Sequence, residues 1–133
     1  EVYPGCRDTV YQEGAKAFAA EVLGYQSLSG HATKSGKVEY LANSLMNLSE
    51  SGRPFTFNQQ KNDYIYNVEN PDGIAPASAD AATFLRYSGS GISAGVCKKG
   101  TCYRSVCIGF PIETILDPSE TASLMKVVLE FFK

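Results

Sequence analysis

The 133-residue chain has no tryptophan, two methionines and one histidine, and its twelve basic residues nearly balance fourteen acidic ones. No apolar run approaches the ~18 residues that a membrane-crossing helix requires, so no membrane span is expected. Lys and Arg occur singly or in pairs, and the formal net charge is −2. The basic stripe that nucleic acid demands is missing, and nucleic acid is not an expected partner. Internal repeats and low-complexity segments are absent. Cys97, Cys102 and Cys107 lack zinc-knuckle spacing, so neither a metal nor a cofactor is expected. The chain begins at Glu1 with no initiator Met and no signal peptide, as expected of a mature or trimmed piece of something longer.

An apolar content of 44% and a charged content of 20% are those of an ordinary globular protein, and the length predicts one domain over residues 1–133. After an irregular lead-in over residues 1–8, Ala15, Phe18, Ala19, Val22 and Leu23 recur at three and four. This spacing predicts a helix from Thr9 to Leu23 with Gly24 as C-cap. Tyr25 to Leu28 alternates, and residues 29–36 form a small polar loop that holds His31. Strand composition marks Lys37 to Leu41, Pro54 to Asn58 and Asp63 to Val68, while Ser44 to Leu48 fits a strand or a helical turn equally. Asn70-Pro71-Asp72-Gly73 predicts a turn with positive φ at Gly73. Ala75 to Ala81 reads as loop or helical turn. Strands follow at Ala82 to Ser88, Ile92 to Cys97 and Thr101 to Ile108. The last helix has Asp117 as cap, Pro118 at its first position and a stripe of Leu124, Val127, Val128, Phe131 and Phe132.

The nearly all-apolar run from Arg104 to Ile108 predicts a strand buried on both faces, leaving through Gly109-Phe110-Pro111 toward Glu113 and Thr114. Together with the antiparallel hairpin before it, this implies an α/β fold with a mixed sheet and helices on its faces. If Lys99-Gly100 is a two-residue turn, Cys97 lies directly opposite Cys102 at a non-hydrogen-bonded pair, where Cα atoms approach to about 4.5 Å. A Cys97–Cys102 disulfide is therefore expected, and with it an oxidising compartment. Cys107 faces the other way as a small core hydrophobe, and Cys6 is undecided.

The segments Phe18 to Tyr25, His31-Ala32-Thr33, Leu85-Arg86-Tyr87-Ser88, Ser93 to Val96 and Ile108 to Ile115 together resemble a known family. It is the carboxyl-terminal domain of secreted, multidomain bacterial proteins labelled xanthan lyase-like, related in fold to the class I glutamine amidotransferases. The resemblance implies a flavodoxin-like arrangement of which this chain is the carboxyl-terminal part. It also implies a secreted, periplasmic or cell-surface location, with neighbouring domains and polysaccharide as partners. Amidotransferases carry a catalytic His just before the proline of the exit segment. Here that position is Phe110, and none of the four cysteines sits in a Gly-x-Cys-x-Gly elbow. A thiol without a neighbouring imidazole stays largely protonated, so amidotransferase chemistry is not expected.

A polysaccharide lyase needs a base, an acid and a group that neutralises a uronate carboxylate. His31, Arg86, Tyr87 and Arg104 are of suitable type, and Glu113 sits at a strand exit where it fits either a ligand or backbone N–H groups. The expected alternatives for the first three are a loop histidine, a solvent-facing Arg86 and a core Tyr87. The favoured function is a non-catalytic accessory or interaction domain, against a uronate-polysaccharide lyase or a degenerate amidotransferase-like hydrolase.

Overall fold

The computed structural model of the chain describes residues 9–49 and 51–133, so the lead-in and Cys6 lie outside the described residues. The elements in order are α1 (Thr9–Phe18), a π-helical turn (Ala19–Leu23), β1 (Tyr25–Ser29), β2 (Lys37–Tyr40), β3 (Pro54–Thr56), β4 (Gly73–Pro76), β5 (Ala81–Tyr87), β6 (Ser93–Lys99), β7 (Arg104–Ile108), a 3-10 turn (Ile112–Thr114) and α2 (Pro118–Phe132). Five strands form one sheet in the order β3-β2-β5-β6-β7, and β1 pairs with β4 in a separate ribbon that packs against β6.

The fold is α/β in the broad sense expected, but the sheet is not mixed. Every ladder among the described residues is antiparallel. No described helix crosses over between neighbouring strands, and without such a crossover consecutive strands pair through antiparallel hairpins. Nor is β7 buried on both faces. It is an edge strand whose five residues are all half-buried, and its apolar composition fits contact with the π-helical turn and α2 instead. The strand closed on both faces is β6, where Ala94 to Lys98 are buried. Gly95 makes this possible, since a Cβ there would meet the Phe84 ring at 2.8 Å.

The helices end as their sequences dictate. Gly24 adopts φ 85° and returns its N–H to the Ala19 carbonyl. The Asp117 side chain accepts from the Ser119 N–H, with Pro118 following at the first helical position. Leu124, Val128 and Phe131 turn inward from α2 to join Val38, Tyr40, Phe55, Phe57, Phe84, Leu85, Tyr87 and Phe110 in one core.

Two loops depart from their sequence reading. Asp63 to Val68 is not a strand, because Asn58 gathers this segment onto itself. Its side-chain amide donates to the carbonyls of Gln60, Ile65 and Tyr66 at 2.9–3.0 Å, and Val68 N–H closes on Asn58 O. At Asn70 to Gly73 there is no positive-φ glycine. The chain is tied by Ala32 N–H to Pro71 O and Asp72 N–H to Gly109 O, and Gly73 is needed because a Cβ would press on Ile92 at 2.7 Å. The ambiguous segment at Ser44 to Leu48 is a turn closed by the Asn43–Leu48 bridge, with the Asn43 side chain accepting from Leu45 and Met46 N–H.

Candidate functional site

Beyond β7 the exit segment is sewn into the core from both sides. Gly109 accepts from Asp72 N–H at 2.7 Å and donates to Ala94 O at 2.8 Å. A Cβ at Gly109 would run into the Asp72 carbonyl, so only glycine allows this crossing. Phe110 then turns inward and is 4% exposed. Its ring stacks on Phe57 with centroids 4.8 Å apart and meets Tyr87 edge-on at 6.3 Å. Thr114 is fully buried, donating its hydroxyl to Pro111 O and lending its carbonyl to Asn58 N–H.

The residues that the sequence nominated for chemistry are not gathered. The Tyr87 ring lies in the core, and its hydroxyl donates to the Asp72 carbonyl at 2.8 Å. Burial, and then the Asp72 charge, pushes its pKa well above the ordinary phenol value. Arg86 points to the opposite face and pairs across the ladder with Glu39. His31 is exposed, its imidazole engaged by no hydrogen bond or ion pair, and its backbone N–H donates to Ser29 Oγ. Glu113 is exposed, and among the described residues no backbone N–H donates to its carboxylate. It accepts from the Tyr66 hydroxyl at 3.0 Å, and desolvation followed by this bond raises the Tyr66 pKa. Sequence reasoning missed that pairing, because the loop that Asn58 folds was read as a strand.

The expected Cys97–Cys102 disulfide is absent, and both are free thiols. The β6–β7 register explains why. Lys99 pairs with Arg104 and Cys97 with Val106, so residues 100–103 are all loop and Cys102 sits in it, exposed, away from its predicted partner. Cys97 is buried, donates weakly to Ala82 O, and burial raises its pKa. Burial also raises that of Cys107, which is half-buried on the edge strand. Among the described residues no group of His, Cys, Asp or Glu is placed to hold a metal ion, and no helix is long and apolar enough to cross a membrane.

Open space lies instead at the hairpin end of β7. A cleft of about 360 Å³ is bounded by the Ser44–Leu48 turn, Lys99, Arg104 and the last turns of α2. A second, of about 330 Å³, lies between the 100–103 loop, Lys99, Arg104 and Phe132. Arg104 is positioned by a hydrogen bond from Nη1 to Phe131 O at 2.8 Å and by its place 5.7 Å over the Phe131 ring.

The other open surface is apolar. Phe18 and Val22, one turn apart, are 55% and 39% exposed, and no residue of the π-helical turn is buried. The turn itself is held through its backbone, with Glu21 O accepting from the Tyr103 hydroxyl and Leu23 O from Ser105. No family model, curated protein or solved structure matches the chain.

Proposed function

We propose that the chain is a non-catalytic interaction domain of a secreted, polysaccharide-associated protein of the xanthan lyase-like kind, which docks neighbouring domains of its parent protein through the outer face of α1. One observation carries this reading: Phe18 at the end of α1 and Val22 in the π-helical turn after it stand exposed, while that turn is tied down through the backbone carbonyls of Glu21 and Leu23. An amphipathic helix normally covers its apolar side against its own core, so a stripe left open in this way serves a partner.

The exit segment supports the non-catalytic half of the proposal. A phenyl ring occupies the position where the related chemistry needs a proton acceptor, and it is stacked into the core. Tyr64, 96% exposed, and Tyr66 present rings on which a sugar face can stack. The secreted, periplasmic or cell-surface location belongs to the proposal through the resemblance, with no contribution from a disulfide. So does the finer flavodoxin-like or amidotransferase-like kinship, whose parallel strands would have to come from outside this chain.

Incubating the purified chain with a uronate-containing polysaccharide tests the proposal against the lyase reading. No unsaturated uronate absorbance is expected, whether or not His31, Arg86 and Glu113 are changed to alanine. Replacing Phe18 and Val22 by serine is expected to weaken association with the flanking domains by about tenfold, on the order of the transfer cost of one buried apolar side chain. Product formation by the chain would overturn the reading.

A further inference from the structure

The geometry points to an oxyanion-binding site at the closed end of the β6–β7 hairpin, where Lys99 and Arg104 hold the carboxylate or phosphate of a small molecule. The two residues occupy one rung of the ladder, so their side chains leave the same face of the sheet. Like charges directly opposite one another repel, and neither cation is in an ion pair with an acid among the described residues. The ion pairs among the described residues are Arg53–Glu120, Arg86–Glu39 and Lys98–Asp80, and none involves Lys99 or Arg104. Among the described residues the Lys99 ammonium has no acceptor. Nη1 of the Arg104 guanidinium donates to Phe131 O, which fixes the plane of the fork, and no acceptor among the described residues takes up its other donors.

Both cations line both clefts. The charged side chains lining the larger one are Lys99, Arg104, Lys133 and Glu130, three cations and one acid. Leu45, Met46 and Val127 supply an apolar wall, with Ser44 and Asn47 as further hydrogen-bonding groups. A cavity of about 360 Å³ is at the small end of the range for low-molecular-weight ligands. A carboxylate or phosphate bridging Arg104 and Lys99 would turn their repulsion into two charge-assisted contacts, with the guanidinium fork giving direction and the ammonium adding charge. This site is independent of docking through α1 and stands if that proposal fails.

The test is a titration of the ¹⁵N-labelled full chain, at fixed ionic strength, with sodium glucuronate, inorganic phosphate and neutral glucose in separate arms. Saturable amide shifts confined to residues 44–48 and 99–104 are expected from the anions and none from glucose. The stronger anion identifies the source as a carboxylate or a phosphate ester. Lys99→Gln is expected to weaken binding about tenfold, whereas Lys37→Gln, which changes an exposed lysine on β2, titrates as the wild type. Shifts that are diffuse or do not saturate, or an unaltered titration in Lys99→Gln, would overturn the assignment.

Discussion

The exit of β7 and the outer face of α1 treat their aromatic residues in opposite ways. Phe110 is stacked on Phe57 and meets Tyr87 edge-on, and backbone hydrogen bonds tie the preceding Gly109 on both sides. Phe18 stands more than half exposed at the end of α1, next to a π-helical turn that is tied down through its backbone carbonyls. The first ring stabilises the fold and leaves no room for chemistry. The second is covered over less than half of its surface and, in the proposed function, meets a partner. The contrast separates what keeps this domain folded from what it offers to others.

Substitution at the closed end should produce the largest effect. Phe110→Ala removes a stacked, buried ring and is expected to cost about 3–5 kcal/mol in denaturant unfolding, as phenylalanine truncations in cores do. A cost below about 1 kcal/mol would mean that the exit is not packed as described. Next comes Asn58→Ala. It strips donors from the carbonyls of Gln60, Ile65 and Tyr66 and is expected to cost about 2 kcal/mol, with amides at 60–68 becoming fast in hydrogen exchange.

A smaller effect follows from Tyr40, whose buried hydroxyl has no partner. Desolvation, and then the Glu120 charge, pushes its pKa up to about 12 from the ordinary 10.0. The unfolded phenol ionises near 10.0 while the folded one keeps its proton until about 12. Stability should therefore be intact below the lower value and fall as pH rises between the two, by about 1–2 kcal/mol. Chemical denaturation across that window checks it, and Tyr40→Phe should lessen the fall by that amount, with the remainder coming from Tyr87, whose pKa is raised as well. The smallest effect is expected at the open end, where Phe18→Ser should stay within about 0.5 kcal/mol of wild type. A large destabilisation there would erase the contrast.

Where local chemistry decides the structure, the sequence was readable. The Gly24 cap, the Asp117-Pro118 helix start, the alternation of Val38 and Tyr40 in β2 and the antiparallel run of β5, β6 and β7 all follow from neighbouring residues. The errors arise where one side chain or one rung of register decides. A shift of the hairpin rung to Lys99–Arg104 removes Cys102 from the ladder and with it the disulfide. The single Asn58 amide turns a strand-like run into a loop. The apolar composition of β7 could not distinguish a central strand from an edge strand half-covered by helices. Of the nominated residues, Tyr87 in the core and Arg86 on the solvent face lie where alternation put them. The partner of Glu113 and the bare cation pair depend on long-range pairing that periodicity does not carry.

Hydrogen exchange of this chain, alone and joined to its flanking domains, tests the central claim most directly. The account predicts that amides at 12–23 are protected about tenfold or more by the neighbours, as expected for a helix that gains a packed face, while those at 109–115 exchange alike in both forms. Unchanged exchange along α1, with new protection at the β7 exit, would contradict it.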